Sequence, residues 1–152
     1  MTALLMKPES IPPTSAGPWK GDPPEVDRGS TPGANQSYTS GTNSISAGIV
    51  IAPDADQAAG AIEKTMSSDA ITSRVKGTLA PAPNVTKNAM VVNGTSADGT
   101  ASTSVLMFSE GTVLATMTFV GKLDDPVSPD YLDSVGVIQL DAIQQNLSKV
   151  GG

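Results

Sequence analysis

The sequence predicts an α+β fold, a two-layer sandwich in which an antiparallel meander is covered by two main helices. Residues 44–51 place apolar side chains at every second position, the period of a strand with one buried face. Two segments that begin near Asp54 and Ser128 repeat apolar residues at helical spacing. Three stretches rich in Val, Thr, Met and Phe lie between them and are separated by turn residues.

An irregular N-terminal arm, residues 1–43, is predicted to precede this unit and pack on it. Pro and Gly recur along the arm and interrupt any long regular element. Trp19 and Val26 are its expected anchors, and residues 28–35 its expected flexible part. A further strand near residues 36–40 is left open.

The arm and the α+β unit of residues 44–152 are expected to form a single domain, because 152 residues suit one domain with a real core. Aromatic residues make up only 3% of the chain, so the core must come from aliphatic side chains and Met. Large aromatic ligand cages are not expected.

The first helix is predicted to begin at Asp54, within APDADQAAG. Asp54 and Gln57 have the spacing at which side chains bond the open backbone N–H groups of a helix start. The alternative is that Asp54 and Asp56 hold a metal ion. An EF-hand would need an oxygen ligand and a Glu where Ala58 and Thr65 stand, so the cap is favoured.

A short helical piece and a Pro-rich connection, LAPAPN, should separate this helix from the meander. The short helix is predicted at 69–75, the strands at 89–92 or slightly beyond, 101–108 and 112–120, and the turns at 98–99 and 109–111.

The meander carries apolar side chains on both faces. We assign to one face Leu106, Phe108, Leu114 and Val120, and to the other Val105, Met107, Val113, Met117 and Phe119. If the helices cover only one face, the other must meet the arm, a partner or an apolar ligand. Simple cover by the arm and a ligand groove between arm and sheet are both open.

The last helix should begin at Ser128, Pro129 and Asp130, residues that favour a helix start through a cap, a fixed φ and a negative charge. Its broad apolar face suits a helix lying across a sheet, and Gly151-Gly152 should end it.

Charge and composition disfavour several functions. A net charge of −6 without a basic cluster disfavours nucleic acids and polybasic membrane docking. The chain has no Cys and no His, and so lacks thiolate chemistry and the commonest general base and metal ligand. We therefore expect no cofactor and no metal, although weak Ca²⁺ binding stays open for one acidic group: Asp124, Asp125, Asp130 and Asp133.

No enzyme motif is complete. Ser73 and Lys76 match the Ser-x-x-Lys of penicillin-interacting enzymes, but the accompanying Ser-Asp-Asn and Lys-Thr-Gly are absent. The nucleotide-binding Gly-rich patterns are absent too. We expect no enzymatic activity; a small carboxylate-dependent hydrolase is the alternative.

The compartment is inferred from composition. The sequence has no run of eighteen apolar residues, and its first residues lack the features of a signal peptide. A chain rich in Ala, Gly, Ser, Thr and Pro, and free of Cys, is typical of exported proteins of high-GC bacteria. We expect an export signal upstream of Met1.

Three stretches resemble a known group of proteins: ALLMKPESIPPTSAGPW, SAGIVIAPDADQAAGAIEKTM and EGTVLATMTFVG with DYLDSVGVIQLDAIQQNL. In this order they resemble actinobacterial, chiefly mycobacterial, extracytoplasmic lipoproteins and the related sensor domains of membrane Ser/Thr kinases. The kinase branch typically has disulfides, so this chain is more similar to the Cys-free lipoprotein branch. The resemblance implies attachment to the cell envelope through a lipidated Cys upstream.

The sequence therefore predicts a monomeric, non-enzymatic envelope domain that binds a protein partner or an apolar, lipid-like ligand. A structural or antigenic surface protein without a ligand is the alternative. Large side chains dominate contact surfaces, which makes five residues the candidates for binding: Trp19, Tyr38, Leu106, Phe108 and Tyr131.

Overall fold

One antiparallel sheet dominates the computed structural model, which describes the backbone of residues 2–150 and the side chains of residues 2–147. Its strands within that range are β1 (Lys20–Gly21), β2 (Glu25–Asp27), β3 (Gly33–Ser40), β4 (Asn43–Ile51), β5 (Val75–Pro81), β6 (Met90–Ser96), β7 (Ala101–Glu110) and β8 (Val113–Lys122). The helices are α1 (Ala55–Met66), α2 (Asp69–Thr72) and α3 (Pro129–Val150), with short 3-10 turns at Thr2–Leu4 and Pro8–Ser10.

The strand order is β1-β3-β4-β8-β7-β6-β5, and β2 pairs with β3 beside β1. Every pairing is antiparallel. This confirms the predicted α+β fold with an antiparallel sheet, and the predicted meander corresponds to β6, β7 and β8. The helix end predicted at Gly151-Gly152 lies outside the described residues.

Part of the predicted arm is not irregular. Strand β3 pairs along its whole length with β4, so the boundary predicted after residue 43 falls inside a paired hairpin. The arm that packs on the sheet therefore ends at residue 32, before β3. The inward residues Ala34, Tyr38 and Ser40 are buried, whereas the outward ones are polar, which weakened the strand signal. Val26 is 38% exposed and lies outside the buried core, although it pairs with Ala34 of β3, while Trp19 is buried as expected.

Strand β5 lies where a Pro-rich connection was predicted, and α2 is shorter than the predicted helix. Gly77 of β5 faces Gly94 of β6, and a Cβ on either residue would collide with the backbone of the other strand. Glycine permits this close approach at the sheet edge. Gly77 and the terminal Pro81 are poor strand formers, and they concealed the strand in the sequence.

The two main helices lie on opposite faces of the sheet. Successive residues of a strand point to opposite faces. Val105 and Met107 of β7 pack in one apolar cluster with Ile62 and Met66 of α1. Leu106 and Phe108 belong to a second cluster with Val135 and Ile143 of α3 and with the arm. The sheet is therefore the middle layer where both helices overlie β7.

The predicted division of side chains between the faces of the meander is wrong for β8. The tight turn between β7 and β8 pairs Glu110 with Val113, so even-numbered residues of β7 lie beside odd-numbered residues of β8. Leu106 thus pairs with Met117, on the face covered by α3, and Leu114 lies on the face of α1. The face of Leu106 is closed in the described structure by α3 and the arm.

The cap predicted for α1 is confirmed. The Asp54 carboxylate accepts a hydrogen bond from the Gln57 backbone N–H at 2.8 Å. The Gln57 side chain donates to the other Asp54 oxygen at 2.9 Å, instead of reaching back to the backbone as in a full capping box. Asp54 therefore has a structural role that requires no metal.

Candidate ligand-binding pocket

A pocket of about 290 Å³ lies at the end of the sheet where β4 begins and β8 ends. The arm forms one side, and the loop before α3 forms the other. The walls are Pro13, Thr14, Ser15, Trp19, Asn43, Ser44, Phe119, Val120, Asp125, Pro126, Val127, Ser128 and Tyr131. We call this cavity the Trp19 pocket.

Trp19 and Tyr131 are joined in the pocket wall although 112 residues separate them. The Trp19 Nε1–H group donates to the Tyr131 hydroxyl at 2.8 Å and lies 3.1 Å from the Pro12 carbonyl oxygen. The Tyr131 hydroxyl donates to the same carbonyl at 2.5 Å. These bonds fix the arm against the first turn of α3 and give the wall one defined shape.

The electrostatics of Tyr131 agree with its role as a donor. Burial raises the pKa of this phenol above its ordinary value, and the hydrogen bond from Trp19 offsets part of that effect. Tyr131 therefore stays protonated at neutral pH and keeps its bond to Pro12.

Some polar residues of the pocket are already satisfied within the fold. Thr14 and Ser40 share a hydroxyl–hydroxyl bond of 2.8 Å, and Ser40 donates to the Gly17 carbonyl at 2.7 Å. Ser128 accepts a hydrogen bond from the Tyr131 backbone N–H at the start of α3. These contacts hold the walls together and leave little bonding capacity for a ligand.

Other polar side chains of the pocket have free bonding capacity. Within the described part of the chain, the side chains of Ser15, Asn43 and Ser44 form no hydrogen bond. Asp125, exposed at the rim, makes no ion pair there either. The pocket thus combines apolar surface with donors and acceptors that a ligand can use.

The other three candidate residues lie in the core. Tyr38 is fully buried, and its hydroxyl donates to the Met6 carbonyl at 2.6 Å and lies 3.1 Å from the Gln36 side-chain oxygen. Leu106 and Phe108 are buried beneath α3. A molecule at the surface does not reach these three side chains, whereas Trp19 and Tyr131 contribute to the pocket.

The acidic group that could have held Ca²⁺ is dispersed. Asp133 accepts a hydrogen bond from the Asn84 side chain at 3.0 Å, and Asp125 points to the Trp19 pocket. Among the residues whose side chains are described, no three acidic groups come together in a way suited to a metal ion. The strongly lowered pKa of Asp98, about 2, arises from hydrogen bonds donated by Ser96 and Thr100 in the predicted β6–β7 turn.

Sequence reasoning missed most of the pocket. Ser15, Asn43 and Asp125 come from three separate loops or strand ends, and none belongs to a motif. Asp125 alone carried a signal, as a member of the acidic group. The pairing of β3 with β4 and the docking of the arm bring these residues together. Packing of the arm on the domain was expected, but the sequence did not indicate where on the sheet it docks or that β3 pairs with β4 along its whole length.

Comparisons with known proteins show the fold. No family model matches the chain, and no curated protein matches it. Among solved structures, it is similar to the extracellular domain of PknH from Mycobacterium tuberculosis, with a TM-score of 0.64 over 95% of each chain and 10% sequence identity. In the part of the chain that the structure describes, no helix is long and apolar enough to cross a membrane.

Proposed function

We propose that this chain is a non-enzymatic, extracytoplasmic domain of a cell-envelope protein, and that it binds a small ligand or a side chain of a protein partner in the Trp19 pocket. The observation that carries this proposal is its likeness in fold, over 95% of both chains, to an extracellular domain. The composition of an exported protein and the resemblance to envelope lipoproteins support the same location.

The size of the Trp19 pocket favours a small ligand over a long acyl chain. A volume of about 290 Å³ is just below the range typical of ligand pockets, roughly 300–1,000 Å³. The lipid-like groove considered from the sequence would need space beside Leu106 and Phe108, but α3 and the arm fill that space. A compact ligand with both polar and apolar surface fits the pocket best.

Trp19 provides a direct test because it is the only Trp in the chain. Fractions of low molecular mass from a mycobacterial envelope extract should change its fluorescence, and native mass spectrometry should detect the bound mass. Replacing Asn43 with Ala should weaken this binding about tenfold, since roughly 1.4 kcal/mol is the scale of one lost hydrogen bond.

The matched control is Asn35→Ala, which removes an exposed amide on β3 outside the pocket and should leave binding unchanged. If no extract fraction alters the fluorescence of Trp19 and no adduct is detected, the proposed ligand-binding function is refuted.

A further inference from the structure

The charge distribution in the Trp19 pocket restricts the ligand further. Among the described residues that form its walls, Asp125 is the only one with a formal charge. No basic side chain lines the pocket, and no ion pair within the described range neutralises this carboxylate. The pocket therefore offers an unpaired, negatively charged hydrogen-bond acceptor at its rim.

The net charge of the whole chain also favours a cationic ligand over an anionic one. Fifteen acidic residues against nine basic ones give a net charge of −6. Such an excess raises the local concentration of cations and repels anions, and salt screens the effect over about 10 Å at 0.1 M. A carboxylate or phosphate ligand would meet Asp125 without a compensating cation.

The rest of the pocket indicates the shape of the ligand. Trp19, Phe119 and Val127 provide apolar surface on the inner side. Ser15, Asn43 and Ser44 provide neutral donors and acceptors. A volume of about 290 Å³ corresponds to roughly ten water molecules, enough for one substituted six-membered ring.

We propose that the Trp19 pocket binds a small ring that carries hydroxyl groups and a protonated amine, as an amino sugar does, with the amine beside Asp125. The hydroxyl groups would bond Ser15, Asn43 and Ser44, and the apolar face of the ring would lie towards Trp19. This proposal rests on the proposed function of the same pocket and adds the ligand class and the residue that selects it.

The test uses three probes of similar size and different charge: glucosamine, N-acetylglucosamine and glucuronate. Each is titrated into the 152-residue chain at low salt, with Trp19 fluorescence as the readout and amide chemical shifts of the pocket residues as confirmation. We expect glucosamine to bind about three- to tenfold more tightly than N-acetylglucosamine, the range of an exposed charge-assisted contact, and glucuronate not to bind.

Two isosteric variants separate the role of Asp125 from general electrostatics. Asp125→Asn should abolish the preference for glucosamine, whereas Asp124→Asn, which removes a neighbouring exposed charge outside the walls, should preserve it. Equal binding of the amine and its acetylated form by the unmodified chain would overturn the proposal. An equal loss of preference in both variants would overturn it too.

The outcome also separates this proposal from the function on which it rests. If envelope fractions change Trp19 fluorescence but none of the three probes does, the amine class is refuted while the binding function holds. If neither the fractions nor the probes act on Trp19, both are refuted.

Discussion

The two faces of the sheet are closed by different kinds of contact. On the face of α1, aliphatic and Met side chains of the helix pack on β6, β7 and β8, with Ile62 and Met66 at the centre. On the face of α3, the helix also holds the arm, and buried polar side chains bond the arm through its backbone. The first face depends on apolar area, and the second depends in addition on a few hydrogen bonds.

Gln139 of α3 is the centre of the second arrangement. Its side chain is fully buried, donates to the Leu4 carbonyl at 2.6 Å and accepts from the Met6 N–H at 3.1 Å. Tyr38 donates to the Met6 carbonyl from the sheet side. The arm is therefore held between helix and sheet at backbone groups of Leu4 and Met6, close in sequence to the Pro12 carbonyl that Trp19 and Tyr131 share.

The two faces also differ in how far they are covered. Helix α1 packs chiefly on β6, β7 and β8, and beyond β8 this face continues into small polar residues such as Ser37 and Ser46. The arm extends the cover of α3 to β3 and forms one wall of the Trp19 pocket. The docking of the arm is thus a structural condition for the pocket.

The largest effect is expected from Gln139→Leu. The change keeps the volume of the side chain but leaves the Leu4 carbonyl and the Met6 N–H buried without a partner, at about 1–3 kcal/mol each. We expect a loss of about 2–6 kcal/mol in the free energy of unfolding, measured with denaturant. Hydrogen exchange should be fastest in residues 2–11, because the arm can open alone.

Gln144→Leu is the matched control, since Gln144 is exposed on the same helix and should tolerate the change within about 0.5 kcal/mol. Uniform loss of hydrogen-exchange protection across the sheet in Gln139→Leu, without early opening of the arm, would contradict the idea that the arm is held locally.

The opposite face should respond differently to Ile62→Ala. Ile62 is buried in the α1 cluster, and its truncation should lower the free energy of unfolding by about 2–5 kcal/mol through lost burial and a cavity. No buried backbone group loses its partner, so hydrogen exchange should rise around α1 while protection of the arm is retained.

Leu123→Ala gives the reference for an apolar truncation at the surface, because Leu123 is half exposed and should change stability by less than about 0.5 kcal/mol. If Ile62→Ala released the arm as readily as Gln139→Leu, the two faces would have to be treated as a single cooperative unit.

The fold was predictable where the sequence carries a strong local signal. The alternation in β4, the cap at Asp54 and the start of α3 at Pro129 each rest on local chemistry that the sequence displays. Strands β3 and β5 were uncertain or missed because Ser, Asn, Gly and Pro conceal them, and pairing with a neighbour decides their conformation.

The residues of the pocket were predictable only in part, because side-chain size does not separate a pocket residue from a core residue. Trp19 and Tyr131 were chosen for their size, but the same criterion also selected Tyr38, Leu106 and Phe108, which are core residues. The faces of β8 were misassigned because one residue of turn length changes which side chains share a face. Gln139 carried no signal, because a polar residue within a helix is usually exposed and only the docked arm makes it a buried partner.

The smallest of the three effects is expected from Tyr38→Phe. The change removes one bond to the Met6 carbonyl and should lower the free energy of unfolding at pH 7 by about 1–3 kcal/mol. Burial raises the pKa of Tyr38 above its ordinary value of about 10, so the folded state favours the neutral phenol. This contribution is complete below pH 10 and is lost as the pH rises further, because the unfolded chain then releases the proton first.

The difference in stability between the unmodified chain and Tyr38→Phe should therefore narrow as the pH is raised from 9 towards 11, measured by urea denaturation at each pH. Tyr131→Phe is the matched comparison: its phenol is only partly buried, so its difference should narrow less over the same range. A difference for Tyr38→Phe that stays constant up to pH 11 would mean that the phenol ionises equally in both states. The bond to Met6 would then lie in a more solvated site, and Tyr38 would contribute less to holding the arm on the sheet side than Gln139 does on the helix side.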